Sequence, residues 1–461
     1  MRLSLAVGAM LGLPMVSMVC PHSALSSSAQ ATPVLYTVAR QYEPLAWMRG
    51  GERFPAGASI FIQDQGRKER HPLLRDFAAT ADPNVSFDGL HVLFAGKQRA
   101  NGPWQIWEVS VDGSETRRVI STAEDCIRPL YMPDDRVVYA RRINGRFAIE
   151  IAPLAGGKPL QLTYVPSNAV PTDVLRDGRV LFEASYPMGG EKAEVYTVYP
   201  DGSGFESYHC DHGHSRYAGR QITSGDILFA DRGLANSGFR GDKLARFTSA
   251  RAHEVPVAAP AGEYAGDVAE TPQGDWLLAW RANSKAGFVL DRWNPAGGAL
   301  QRIAAVEGMS VVQPVVVAPR IVPLRFPSGL HDWANANLLC LNAYTSKYGF
   351  AKDSIHQIRA YTRDANGQTK LLGTAAVEKD GSFFVQVPTE RPLQIELLDA
   401  SGKTLKREAG WFWMRRGEQR VCVGCHAGPE TAPENAVPMV LLRSTTPADM
   451  TGSTQAAAGG H

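Results

Sequence analysis

A weak internal repeat runs between about Leu35 and Val322, and it limits this chain to very few folds, because each unit is a turn followed by a short buried strand. The unit reads SFDGLHVLFAG around Phe94, MPDDRVVYAR around Tyr139, LRDGRVLFEA around Phe182, TSGDILFAD around Phe229 and TPQGDWLLAW around Leu278. Its spacing of roughly 43 to 50 residues is the period of a four-stranded propeller blade. A second alternating segment follows most anchors: WQIWEVSVDGS, FAIEIAPLAGG, AEVYTVYPDGS and FVLDRWNPAGG, with Asp-Gly or Gly-Gly at the hairpin turns. In the first of these, Ile106, Glu108 and Ser110 alternate with Trp107, Val109 and Val111, and no helical period of comparable length occurs in the region. Five blades are explicit, and LYTVAR, ASIFIQD and SVVQPVVVAPRIV can supply a sixth closed by both ends of the region. The expected class is all-β, with a β-propeller of six or seven blades, TolB- or WD40-like, over residues 32–325. A pair of β-sandwiches would not need this periodicity.

Beyond the repeat the pattern changes. IHQIRAYTRD, TKLLGTAAVEKDGSFFVQVP and LQIELLDASGKTLKREA alternate as strands, with Asp380-Gly381 and Ser401-Gly402 at turns and Pro388 and Pro392 as strand breakers. This predicts a small antiparallel β-sandwich over 326–410, followed by a C-terminal cofactor-binding segment over 411–443. Residues 444–461 are rich in Thr, Ala, Gly and Ser without an apolar face, which predicts a disordered tail.

At the other end, Arg2 precedes an apolar run from Leu3 to Val19, and Ala29-Gln30-Ala31 offers small residues for cleavage. Residues 1–31 read as a secretory signal peptide, so the mature chain is expected in the periplasm or secreted. A lipoprotein would instead be acylated at Cys20, but Val19 is bulky where the peptidase wants a small residue. No other stretch is long and apolar enough to span a bilayer, so no membrane span is expected in the mature chain. Formal net charge is +2 with scattered Lys and Arg, which leaves no footprint for nucleic acid. The expected partner is a redox protein or a small-molecule substrate.

Cys422-Val423-Gly424-Cys425-His426 carries the strongest chemical signal, because Cys-x-x-Cys-His is the attachment site of a c-type haem. Thiols three residues apart on one side of a helical turn can both add to the vinyl groups of one porphyrin, while the next residue aims an imidazole at the iron. One motif predicts one covalent haem c per chain, held by Cys422 and Cys425 with His426 on the iron. A disulfide and half of a zinc site compete with this reading, but a structural zinc needs four protein ligands and no second Cys-x-x-Cys exists. Upstream, GWFWMRRGEQR read as an extended segment puts Trp411 and Trp413 on one side and Phe412 and Met414 on the other. Those rings could cover a haem face, and Arg415, Arg416 or Arg420 could pair with its propionates. Met414, Met439, His331, His356 and the propeller histidines are candidates for the sixth iron position.

A second constellation, YHCDHGHSRY, gathers His209, Cys210, His212 and His214 around Asp211. Imidazole with thiolate suits zinc or copper, and His209 or Cys210 could reach a haem lying across a propeller face; solvated loop histidines are the alternative. Of the six cysteines, setting aside Cys20 and the motif pair leaves Cys126, Cys210 and Cys340, an odd remainder with at least one thiol unpaired or serving as a ligand.

The succession DGSFFVQVP, LLDASGKTL and WFWMRRGEQRVCVGCHAGPETAPENAVP, following a propeller, resembles the middle domain of the hydrazine synthase alpha subunit family. The likeness is specific over about Leu338 to Leu442. It implies haem at Cys422 and Cys425. In that family the motif histidine is associated with zinc and a tyrosine four residues later ligates the iron; here that position is Glu430, which favours ligation by His426. The family's further domain with a second haem is expected to be absent. Two functions follow: a mono-haem redox protein that transfers electrons or, as a haem oxidoreductase, works on a small nitrogen or oxygen species; or a propeller scaffold in a larger complex with an inert or electron-accepting haem. No nucleophile elbow or phosphate loop supports a hydrolase.

Overall fold

The computed structural model describes residues 32–64, 69–186, 192–208, 214–233, 242–249, 253–364, 366–425, 431–432 and 434–452. Strands dominate it, and the repeat anchors occupy one structural position: His91–Lys97, Arg136–Ile143, Val180–Tyr186, Ile227–Arg232 and Trp276–Arg281 are each the second strand of a blade. The segments read as their partners are the third strands, Gln105–Ser110, Arg146–Pro153, Lys192–Val198 and Val289–Trp293. Six blades result among the described residues. Blade 1 is the one assembled from both ends of the region, with Val34–Ala39 paired to Ser59–Gln63 on one side and to Ser310–Val316 on the other.

The innermost strands show a second regularity. Each of blades 1 to 5 has a register shift in its inner strand, and blade 6 has its inner strand broken into Glu263–Tyr264 and Ala269–Glu270. At or inside these irregularities Asp82, Arg128, Ala218, Asp267 and Gln313 adopt positive φ between 52° and 58°. A bulge inserts one extra residue and re-aims its side chain. Of these, Asp82, Arg128, Asp267 and Gln313 are polar and meet at the ring centre. The Arg53 guanidinium donates to both oxygens of Asp82, at 2.7 and 2.5 Å, and the Gln313 amide nitrogen and the Arg128 backbone N–H also donate to that carboxylate. Arg128 pairs with Asp267 at 3.0 Å.

The C-terminal strands form two packed sheets. Thr369–Ala376, Gln357–Arg363, Leu393–Leu398 and Thr404–Arg407 are antiparallel throughout. The other sheet is mixed, which differs from the antiparallel expectation: Ala336–Cys340 runs antiparallel to Phe383–Val387 but parallel to Gln419–Cys422, and Ala448–Asp449 runs parallel to Phe383–Val387. Parallel pairing requires long crossovers, so composition and turns do not reveal it. The last of these strands also corrects the expectation of a tail from residue 444. Met450 is fully buried in the sandwich core, and 453–461 lie outside the described residues. No helix among the described residues is long and apolar enough to cross a membrane; the proposed signal peptide, 1–31, also lies outside them.

Trp413 fastens sandwich to propeller. Its side chain is fully buried among Leu162, Phe182 and Val198 of the propeller, 4.3 Å from the Phe205 ring centre, and its indole N–H donates to the Gly202 carbonyl at 2.9 Å. Arg415 donates to the Tyr164 hydroxyl at 2.5 Å and pairs with Glu390 at 2.9 Å. Gly202 is at φ +84°, and a Cβ there would lie 2.9 Å from the Arg415 side chain, so close approach and conformation both demand glycine.

Candidate functional site

Between blade 4 and the sandwich lies a cleft of about 270 Å³. Its propeller wall is Val165, Ala184, Tyr196 and Phe205 with the hydroxyls of Ser167, Ser185 and Ser207; its sandwich wall is Leu338, Phe383, Ile395, Leu397, Trp411 and Phe412 with Tyr348, Lys406 and Glu408. Cys422, Cys425 and Cys340 open onto the same space. The motif thiols therefore sit in an aromatic, largely apolar cleft.

Local structure explains how they arrive there. Strand Gln419–Cys422 lies beside Ala336–Cys340 with Cys340 directly opposite Cys422, and the Leu341 N–H donates to the Cys422 carbonyl. The chain then turns sharply through Val423 and Gly424. A Cβ on Gly424 would lie 2.1 Å from the Thr345 carbonyl oxygen and 2.8 Å from that of Asn342, so the motif packs backbone to backbone on loop 342–345. Glu418, buried at the start of the strand, accepts from the Arg415 N–H, the Arg420 guanidinium and the Gly204 N–H of the propeller. Burial pushes the Cys422 thiol up, and a hydrogen bond to Cys425 followed by burial pushes Cys340 well up. All of this favours neutral thiols over thiolates.

Several expectations about neighbouring residues need correction. Trp411 and Phe412 both line the cleft, whereas Trp413 enters the propeller and Met414 enters the sandwich core. The strand-like alternation fails because this segment is irregular, with Phe412 making a single bridge to Leu393. Arg415 and Arg420 are engaged by Glu390 and Glu418, and Arg416 is exposed; none lines the cleft. Neither do Met414, Met439, His331 or His356, the last two being exposed with His331 stacked on Trp333. His426 and Glu430 lie outside the described residues, as do His209, Cys210, Asp211 and His212.

His214, the described member of the second constellation, meets partners that sequence reading did not name. Its Nδ1 is 2.8 Å from Asp231 Oδ2 and 3.8 Å from Glu254 Oε1, a set that could hold a cation. Burial raises the Asp231 carboxyl, and the His214 hydrogen bond opposes that rise. Arg216 neutralises Glu254 from the other side at 2.5 Å. The closeness of Cys340 to the motif was the other omission: it is 82 residues before Cys422 (422 − 340), and only strand pairing brings it close.

Residues 341–427 match the sequence profile of the family described as hydrazine synthase alpha subunit middle domain. The curated hydrazine synthase subunit alpha of Kuenenia stuttgartiensis is 38% identical over 77 residues, which is 17% of this chain and 10% of that protein. Hydrazine synthase of Kuenenia stuttgartiensis superposes with a TM-score of 0.77 at 17% identity, covering 90% of this chain and 72% of that one. This chain resembles the hydrazine synthase alpha subunit. The hydrazine synthase alpha-like match in sequence takes in Cys422, Cys425 and His426 within 341–427, and the shared fold extends over the propeller as well. TolB from Acinetobacter baumannii superposes at a TM-score of 0.48 and 15% identity over 62% of this chain and 67% of its own.

Proposed function

We propose that this chain is an exported mono-haem c-type redox protein, with haem c attached to Cys422 and Cys425 in the cleft between propeller and sandwich. The observation that carries the reading is the placement of both motif thiols in the wall of one apolar cleft bounded by Tyr196, Phe205, Trp411 and Phe412. The donor set fits: two thiols for thioether bonds, aromatic faces for a porphyrin, and Lys406, 4.1 Å from the Tyr348 ring, as a cation for a propionate. Bound haem would supply a one-electron couple, or an iron site for a small nitrogen or oxygen species. The chain's part would be to exclude water with its aromatic walls, to hold the group between two domains and to offer His426 to the iron.

A second reading makes the propeller a platform in a larger complex, with an inert or electron-accepting haem. It is favoured by Ile321, Val322 and Leu324, which stand 75%, 55% and 68% exposed between propeller and sandwich, and by the relative's name as one subunit of an enzyme. A zinc ion at His214, Asp231 and Glu254 is a separate proposal, tested by metal analysis of the purified protein and of His214→Ala.

The deciding experiment is an optical spectrum of the exported protein, oxidised and reduced, before and after carbon monoxide. Covalent haem that is lost in Cys422→Ala and Cys425→Ala is the expected result; a folded exported chain without haem overturns the proposal. A reduced spectrum that shifts with carbon monoxide supports chemistry at the iron, and one that does not shift supports electron transfer or the platform.

A further inference from the structure

Three thiols, not two, share the cleft wall. Cys340 is 1% exposed, lies opposite Cys422 in parallel register and is hydrogen-bonded through its thiol to Cys425. The three sulfurs do not form a metal-sized group. The group of three His, Cys, Asp or Glu ligand atoms within 4.8 Å found among the described residues is His214, Asp231 and Glu254. Tetrahedral thiolate coordination requires mutually close sulfurs at about 2.3 Å from one ion, so a three-cysteine zinc site is disfavoured. What remains is a pair in contact, Cys340 with Cys425, beside a third thiol held in the strand ladder.

We propose that Cys340 is the disulfide partner of Cys425 in the chain before haem is attached. The reaction is thiol–disulfide exchange with an external disulfide of the glutathione class. Two S–H bonds break and the Cys340 Sγ–Cys425 Sγ bond forms, while the external disulfide accepts the two electrons and two protons and leaves as two thiols. The choice of partner is a property of the fold. In the unfolded chain Cys422 and Cys425 are three positions apart, and short-loop closure favours that pair. In the folded chain the ladder fixes Cys422 opposite Cys340, while the turn at Gly424 carries Cys425 over to the Cys340 thiol. A sulfur engaged in the Cys340–Cys425 bond cannot form a thioether, so reduction of this bond precedes modification of Cys425. The inference does not depend on the cleft holding haem.

The full-length chain isolated without attached haem is equilibrated with mixtures of oxidised and reduced glutathione, alkylated, digested without reductant and mapped by mass spectrometry. The expected product joins the Cys340 and Cys425 peptides, at least about tenfold over the Cys422–Cys425 loop, because disulfide geometry is selective. In concentrated urea that preference should reverse. Dominance of Cys422–Cys425 under folding conditions, or a Cys340 that is alkylated at every glutathione ratio, overturns the proposal. So does an equal yield of the Cys340–Cys425 product with and without urea. In Cys340→Ser the cross-link should vanish and Cys422–Cys425 should take its place. Absence of haem from the exported protein would sink the haem reading alone, since this cross-link is scored in the haem-free chain.

Discussion

Glu183 sits at the propeller centre with no exposed surface, and its Oε1 has no hydrogen-bond partner although Arg128 Nη2 stands 3.9 Å away. Burial pushes its carboxyl up to about 7, against the pull of Arg128 and of the Ala218 N–H. A raised carboxyl titrates against folding: its contribution is fully present below the unfolded value near 4.5 and is lost as pH rises through about 7. Glu183→Gln removes that loss. The variant should match the parent at acid pH and exceed it by about 1–3 kcal/mol above neutrality, read from urea unfolding at several pH values. A constant difference across pH would refute the assignment. At Gly424 the argument is steric. Gly424→Ala must displace the carbonyls of Thr345 and Asn342, and a loss of about 1–3 kcal/mol in thermal or urea stability is expected.

Between elements, Trp413 carries the sandwich side into a core cluster of the propeller. Trp413→Ala should cost about 3–5 kcal/mol and uncouple the domains, so that a single calorimetric transition becomes two. Elements also show what the sequence made legible. Second and third strands of the blades were readable because they alternate and end in Asp-Gly or Gly-Gly turns. The inner strands of blades 2 to 4 escaped because Pro83, Pro129 and Pro171 lie in or beside their bulges, and proline inside a run argues against a strand. The thiols of the Cys-x-x-Cys-His motif were legible as part of five adjacent residues. Cys340 and the blade 4 wall were not, since proximity across parallel strands and between domains leaves no local spacing to read. Trp413 and Met414 were misplaced for a related reason: alternation identifies faces only where a ladder holds the chain extended.

Over the whole molecule, the ring is tied at Asp82. Its carboxylate joins Arg53 and Gln313 of blade 1 to the backbone of Arg128 in blade 3, and Gln313 accepts from Thr37 across the blade 1 closure. Arg53 and its neighbours hold this carboxyl well below the usual range despite burial, so its stabilisation persists until strongly acidic pH. Asp82→Ala leaves the Arg53 guanidinium buried without a counter-charge, and a loss of about 3–5 kcal/mol at neutral pH is expected from equilibrium unfolding. The closure it guards also sets a timetable. Ala39 pairs with Ser310, 271 positions later (310 − 39), so during folding one edge of Val34–Ala39 stays unpaired until the last strand of the propeller docks. Such an edge invites pairing with other chains, which makes the interval before closure the time when a chaperone matters most. The cleft thiols lie later still in the chain: Cys422 is 226 positions beyond Tyr196 of the blade 4 wall (422 − 196), so the cleft exists only once both domains have folded.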